Sequence, residues 1–180
     1  SPKFSNNRFF FKEPERGDVI VFKTPVDNRT DYIKRLIGLP GDEIQFINGD
    51  LYLNNNQILK TKKNIKGLKI YCGKQIINAV AFNEKLPNGR SYTTVYKKEG
   101  SFKNSDKYIV PKNHYFFLGD NRDCSKDSRY LNSVGYVKKL NLVGKARIIF
   151  FSTNKNKGNI FQIWKWFEII VWNRFFNIIN

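Results

Sequence analysis

The sequence predicts a mainly β protein, because its apolar residues fall in short runs and its turn signals are frequent. The runs alternate or are rich in β-branched and aromatic residues, as strands are. Asn48-Gly49 lies between two of these runs and is a dipeptide typical of tight hairpins. A content of 41% hydrophobic and 16% aromatic residues argues against disorder. A chain of 180 residues is long enough to bury a core in one or two domains.

The first part of the chain contains four predicted strands, each bounded by turn residues. They cover residues 19–22, 32–37, 44–47 and 51–53. The second ends at Gly38-Leu39-Pro40-Gly41, which cannot continue a strand. The third and fourth flank Asn48-Gly49 and are therefore predicted to form a hairpin.

The middle of the chain is harder to interpret, while two later runs again resemble strands. Within residues 67–106 the clearest signals are a turn at Pro87-Asn88-Gly89 and a strand over 92–96. Strands are also predicted over 115–118 and 146–151. No internal repeat is visible.

The C-terminal residues 154–180 carry the one helical pattern, and all three tryptophans lie there. Apolar side chains recur at helical spacing, namely Ile160, Trp164, Phe167, Val171, Phe175 and Ile178. Lys165, Glu168 and Arg174 interrupt the segment, which argues against a helix that spans a bilayer. We expect an amphipathic helix that lies in a membrane interface. A helix packed on the core is the alternative.

The charge is strongly positive, with 32 Lys plus Arg against 15 Asp plus Glu and a net charge of +17. Such an excess suits an anionic membrane surface or nucleic acid. The lysines are dispersed, and no helix-turn-helix, zinc-finger or RNP motif accompanies them. We therefore expect an anionic membrane surface as a partner and no nucleic acid, with a solvated basic surface as the open alternative.

Two segments concentrate the residues that suggest chemistry. Residues 119–129, Gly-Asp-Asn-Arg-Asp-Cys-Ser-Lys-Asp-Ser-Arg, follow an apolar strand and mix three Asp with two Arg and two Ser. Residues 32–42 place Lys34 inside an apolar stretch. A calcium loop of the EF-hand type would need Glu at its twelfth position, where this chain has Tyr130. The pair of segments favours a Ser/Lys hydrolase.

These segments, preceded by Arg16-Gly17-Asp18-Val19-Ile20-Val21-Phe22-Lys23, resemble bacterial type I signal peptidases in order and spacing. The resemblance implies a serine endopeptidase that removes signal peptides from exported preproteins. It also implies an antiparallel β-sheet catalytic core with an inserted, smaller β-rich domain. We place the core at residues 1–53 plus 108–153, the insert at 54–107 and the interfacial segment at 154–180.

By the same resemblance, Lys34 is the general base. An amine can accept a proton only when neutral, and the ordinary pKa of lysine, about 10.4, keeps it charged at neutral pH. Burial in an apolar pocket would lower that pKa. Side chains expected to form its walls are Tyr32, Ile33, Leu36, Ile37 and Phe22. The alternative is an edge-strand lysine whose amine reaches water.

The resemblance assigns supporting roles to the loop. Ser125 matches a serine that hydrogen-bonds the lysine and orients its amine. Asp127 and Arg129 are expected to brace the loop as an ion pair. Framework roles are expected for Asp120, Arg122, Asp123 and Tyr32.

The family nucleophile belongs to a Ser-Met-x-Pro segment, and this chain contains no methionine. We therefore expect that the nucleophile is not in this chain, that the chain is a piece of a longer protein and that it cleaves nothing alone. The resemblance implies an N-terminal membrane anchor upstream. The catalytic part would then face the periplasm or cell exterior.

The remaining reactive residues give weaker signals. Cys72 and Cys124 have no metal-site spacing, and we expect two free thiols rather than a bridge. His114 has no acidic or cysteine cluster beside it and is interpreted as structural. We expect no metal or other cofactor. By the resemblance, Lys126 stands at a position where the family commonly has a small residue, and either its charge would lower the pKa of Lys34 or its bulk would narrow the substrate cleft.

Two other functions remain open at this point. One is a Ser/Lys peptidase of the self-cleaving repressor type, which should carry a DNA-binding helical domain. The other is a catalytically inactive basic protein that binds membranes or nucleic acid on the same fold.

Overall fold

A computed structural model describes residues 13–98 and 102–146. These ranges hold thirteen β-strands and two short 3₁₀ turns, with no α-helix among them. The mainly β fold class is thus confirmed. The predicted C-terminal helix lies outside the described residues. The strands are β1 Val19–Lys23, β2 Asp31–Gly38, β3 Glu43–Ile47, β4 Asp50–Leu53, β5 Asn56–Gln57, β6 Leu59–Lys62, β7 Lys69–Cys72, β8 Gln75–Lys85, β9 Ser91–Lys97, β10 Tyr108–Ile109, β11 His114–Leu118, β12 Val137–Lys138 and β13 Leu142–Lys145.

A five-stranded antiparallel sheet forms the centre, in the order β12-β11-β2-β1-β13. Its middle strands are apolar on both faces, since Leu36 and Ile37 of β2 are both fully buried. Successive strand residues point to opposite faces. The sheet therefore separates two hydrophobic cores, one containing Leu36 and the other containing Ile37.

The two cores differ in what covers them. The first contains Ile20, Phe22, Leu36, Tyr115, Phe117, Val134, Val137 and Leu142, mostly from the central sheet itself. In the second, side chains of a second sheet, β10-β3-β4-β5, pack on Ile37, Phe116 and Leu118. In that second sheet the predicted hairpin is confirmed, with positive φ at Asn48 (51°) and Gly49 (86°).

A third sheet has the order β6-β8-β7, with β9 on β8. It lies within the predicted insert, residues 54–107, whose boundaries stay a prediction. The predicted strand 92–96 falls inside β9, whereas β6, β7 and β8 were not predicted. Two of the four residues of β6 are lysines, and its pairing with β8 supplies stability that its composition does not.

The last described strand, β13, was not predicted. It covers Leu142–Lys145, where Leu142 is buried in the first core and Gly144 and Lys145 pair with β1. Apart from Ala146, the strand predicted over residues 146–151 lies outside the described ranges. Within those ranges, no helix is long and apolar enough to cross a bilayer.

Candidate active site

Lys34 lies on β2 where the neighbouring strand stops. It is opposite Ile20 of β1, and β11 pairs with β2 only as far as Leu118 opposite Arg35. The next residue of β11 would face Lys34, but there the chain turns into the loop that begins at Gly119. The sheet register therefore places the amine beside the first residues of that loop.

The surroundings of Lys34 are apolar on one face of the sheet. Strand alternation and pairing put Tyr32, Leu36, Ile20 and Phe22 on its side. Its Nζ lies 5.4 Å from the centroid of the Tyr32 ring.

Two of the five side chains predicted to surround the Lys34 amine do not do so, and that prediction was wrong for them. Ile33 points to the opposite face and is 51% exposed, and Ile37 belongs to the second core. The physical reason is the two-residue period of a strand, which sends immediate neighbours of a residue to the other side.

The pKa of Lys34 is lowered from 10.5. The main cause is burial, which disfavours the ammonium form, while the negative charges of Asp127 and Asp120 oppose the shift. Lys34 forms no ion pair or hydrogen bond with the residues described. Its amine is thus moved toward the neutral form that a general base requires.

Asp127 closes the loop at its base. Its buried carboxylate accepts a hydrogen bond from the Gly119 N–H at 2.9 Å and from the Arg129 guanidinium at 2.8 and 2.9 Å. Ser128 then exchanges two hydrogen bonds with the backbone of Phe117. The two ends of the loop are therefore joined, and the expected ion pair between Asp127 and Arg129 is present.

Asp120 is held by Arg35, the neighbour of Lys34 on β2. The Arg35 Nε and Nη2 atoms each donate to one carboxylate oxygen at 2.8 Å, and Nη1 donates to the Gly17 carbonyl. The guanidinium also lies 4.3 Å from the ring centroid of Tyr92. Sequence reasoning missed Arg35, although an arginine beside the lysine of a buried strand was a usable signal for a paired cation.

Arg122 is the most deeply buried cation of the loop, with a side chain 1% exposed. It forms a bidentate ion pair with Glu84 of β8, with N–O distances of 2.8 and 2.5 Å, and donates to the hydroxyls of Tyr96 and Tyr92. Burial opposes its charged form, but Glu84 and the two tyrosines raise the pKa of Arg122. Nothing in the sequence around Glu84 signalled this role.

Asp123 and Cys124 attach the same turn to the third sheet. Asp123 accepts a hydrogen bond from the Lys97 N–H at 2.7 Å. Cys124 forms a disulfide with Cys72 at the end of β7, so the prediction of free thiols was wrong. The two cysteines are 52 residues apart in sequence, and only the packing of the β7–β8 hairpin on the loop brings them together, with Cα atoms 5.1 Å apart.

Ser125 is buried, and its Oγ has no hydrogen-bond partner in the described structure. The hydrogen bond to Lys34 expected from sequence is therefore not formed here. A Cβ atom on Gly119 would lie 2.1 Å from that Oγ, so only glycine leaves room for the hydroxyl. The hydroxyl sits against the residue that follows β11, at the end of the sheet where Lys34 lies.

The other sequence signals lie outside this arrangement. Lys126 is exposed and is not among the charges that shift the pKa of Lys34. His114 contacts the Lys112 carbonyl through Nδ1 at 2.8 Å. Among residues 13–98 and 102–146 no group of His, Cys, Asp and Glu is suited to hold a metal.

Comparisons with known proteins agree on one family. The family model described as "Signal peptidase, peptidase S26" matches residues 2–151. Signal peptidase I of Rickettsia akari is 40% identical over 190 residues, covering 96% of this chain and 68% of that protein. Signal peptidase I of Rickettsia typhi is 45% identical over 154 residues, covering 81% of this chain and 55% of that protein. A crystal structure of a signal peptidase I from Enterococcus faecalis is 27% identical with a TM-score of 0.44, covering 76% of this chain and 99% of that one.

Proposed function

This chain belongs to the signal peptidase family, peptidase S26, and we propose that the protein it represents removes N-terminal signal peptides from exported preproteins. The chain spans between 55% and 68% of the length of the two Rickettsia relatives, so the activity is proposed for the whole protein. The observation that carries the proposal is Lys34, a half-buried amine with a lowered pKa beside a rigidly braced loop.

The proposed mechanism uses a serine that lies outside this chain as nucleophile. The neutral amine of Lys34 takes the proton of the serine hydroxyl as the oxygen attacks the scissile carbonyl. The resulting ammonium returns the proton to the leaving amine, and an acyl-enzyme remains. Lys34 then takes a proton from water as the water oxygen attacks the ester carbonyl. The bond to the serine oxygen breaks, the acyl group leaves as a carboxylic acid, and Lys34 returns its proton to the serine oxygen, which restores the neutral amine and the serine hydroxyl. A backbone amide at the nucleophile would stabilise the oxyanion.

Ser125 is proposed to orient Lys34 during this cycle. Its hydroxyl is buried and has no partner among the described residues, so turning it toward the amine breaks no existing hydrogen bond. Leaving a buried hydroxyl unpaired is unfavourable, which gives the pair a reason to form when the site is complete. The ion pairs of Asp120 and Asp127 hold the loop so that this serine stays within reach of the sheet end.

We place the protein at the plasma membrane with its catalytic part on the extracytoplasmic side. The disulfide supports this location, because such bonds persist mainly in oxidising compartments. We assign the third sheet to the inserted domain at residues 54–107. Glu84 and Cys72 of this sheet bond to the loop at residues 119–129.

The test compares a longer natural chain with residues 1–180 on a preprotein substrate. We expect cleavage by the longer chain, none by residues 1–180, and a loss of about 10²- to 10⁴-fold for Lys34→Ala in the longer chain. Lys112→Ala, at an exposed lysine away from the loop, is the matched control and should keep full activity.

Two outcomes would overturn this function. Cleavage that survives Lys34→Ala would remove the proposed base. A longer chain that cleaves nothing but binds DNA or membranes would favour the second alternative, a catalytically inactive binding protein. The first alternative, a self-cleaving repressor, is not the family that the match to residues 2–151 indicates.

A further inference from the structure

The third sheet carries an exposed, basic arm, defined here as residues 62–77. It comprises the end of β6, the connection to β7, β7 itself and the start of β8. None of its residues is buried. Residues 51–83 contain six lysines and no Asp or Glu, so the arm's positive charge is not balanced along the chain.

The disulfide decides which face of the arm points outward. Directly paired residues of an antiparallel hairpin share a face, and here Tyr71 pairs with Ile76 while Cys72 pairs with Gln75. Cys72 is bonded to Cys124 of the loop at residues 119–129, called the catalytic loop below. The face of the hairpin that carries Cys72 is therefore turned toward that loop. The opposite face presents Tyr71 and Ile76, which are 56% and 59% exposed.

Three lysines lie near this apolar pair in the sequence of the arm and have no acidic partners. Lys66, Lys69 and Lys74 are exposed and form no ion pair with the residues described. Lys60, just before the arm, is different, since it forms an ion pair with Asp50 and its Nζ lies 5.0 Å from the ring centroids of Phe82 and Tyr96. Lys69 shares the face of Tyr71 on β7, and Lys74 lies in the turn to β8, so unpaired positive charge accompanies the apolar pair.

We propose that the outward face of the basic arm docks on an anionic lipid surface. Lysines beside a bilayer gain from its negative surface potential, and a tyrosine ring with an aliphatic neighbour suits the headgroup zone. This combination of apolar area and positive charge is what determines interfacial binding. The inference rests on the proposed function only in expecting a membrane nearby, and it adds that the insert itself makes the contact, at the end bonded to the catalytic loop.

The experiment measures binding of residues 1–180 to vesicles of phosphatidylcholine with a minor fraction of phosphatidylglycerol, by co-sedimentation. The triple variant Lys66→Gln, Lys69→Gln, Lys74→Gln should bind about 100-fold more weakly, from roughly fivefold per lysine near an anionic surface. The loss should shrink in high salt. Tyr71→Ser with Ile76→Ser should weaken binding about tenfold or more, with little salt dependence.

Matched controls remove the same charge and the same exposed apolar area elsewhere. Lys85→Gln, Lys112→Gln and Lys138→Gln change exposed lysines outside the arm. Val26→Ser with Leu140→Ser changes side chains that are 69% and 91% exposed. Both controls should keep most of the binding to the vesicles.

The proposal is overturned if the arm variants bind as the unchanged chain does, or if the controls lose as much. It is also overturned if the triple variant loses affinity for double-stranded DNA but not for vesicles. Vesicle binding needs no peptidase activity, so this test stands even if the longer chain cleaves nothing. In an active longer chain, arm variants should cleave a soluble peptide normally and a vesicle-bound preprotein more slowly.

Discussion

Lys34 and Arg122 are two basic residues of the candidate active site, and they differ in their burial, their partners and the direction in which their pKa is shifted. Arg122 is fully buried and bonded to Glu84, Tyr92 and Tyr96. Lys34 is half-buried, faces apolar side chains and has no ion-pair partner among the described residues. The pKa is raised at Arg122 and lowered at Lys34.

The difference shows that the groups around a buried cation decide whether it serves as a structural ion pair or can act as a base. A buried charge with a well-placed counter-ion stays charged and holds two segments together. A buried amine without one moves toward its neutral form and becomes able to accept a proton. The first arrangement joins the loop to the third sheet, and the second leaves Lys34 suited to act as a base.

The largest change in stability is expected when the Arg122 pair is broken. Arg122→Met leaves the Glu84 carboxylate buried without its counter-ion, which should lower the free energy of unfolding by about 3–5 kcal/mol. Urea denaturation measures it. In the double variant Arg122→Met with Glu84→Gln, part of the loss should be recovered because no buried charge remains. A loss below about 1 kcal/mol in the single variant would contradict the structural role assigned to the Arg122–Glu84 ion pair.

Removing the disulfide should come next. Cys72→Ser with Cys124→Ser releases a constraint across 52 residues and should lower the free energy of unfolding by about 2–4 kcal/mol. Urea denaturation of the unchanged chain with and without a reductant provides an independent check. Equal midpoints in the two conditions would show that the bond does not contribute.

Lys34→Met should act in the opposite direction on stability. It replaces a poorly solvated amine by an apolar side chain next to Leu36 and Phe22, and should raise the free energy of unfolding by up to about 1 kcal/mol while abolishing cleavage by the longer chain. Lys112→Met, at an exposed position, should change stability by less than about 0.5 kcal/mol. A clear destabilisation by Lys34→Met would mean that the lysine serves the fold.

The smallest effect concerns pH. In the longer chain, kcat/KM should rise with pH as Lys34 loses its proton, with an apparent pKa below 10.5. The Asp120 charge raises the pKa of Lys34, so Asp120→Asn should move this rise to lower pH. Conservation of the profile in Asp120→Asn, or a shift to higher pH, would contradict the assignment.

The same ionisation predicts how stability depends on pH. Because the pKa of Lys34 is lower in the folded state, the unfolded chain binds more protons between that pKa and 10.5, and Lys34's contribution to stability rises with pH there. Lys34→Met should remove this part of the pH dependence. Identical stability profiles for the two chains in this range would exclude the shift.

Local sequence patterns predicted the positions of β1, β2 and β11 in the central sheet, the Asn48-Gly49 hairpin and the Asp127–Arg129 pair. These features depend on side-chain alternation, turn residues or an ion pair between residues two positions apart. All three involve residues that are close together in the sequence. The family also followed from three contiguous segments. Tertiary structure alone decided that Ile33 and Ile37 turn away from Lys34, and that Gly119 makes room for Ser125.

It also decided the long-range partners. Arg122 meets Glu84 across 38 residues, Cys124 meets Cys72 across 52 and Arg35 meets Asp120 across 85. No local pattern selects such partners, because sheet register and the packing of the third sheet on the loop bring them together. The chemistry suggested at Lys34 and the Asp127–Arg129 pair could therefore be predicted from the sequence, whereas the long-range partners that hold the loop beside Lys34 are seen only in the fold.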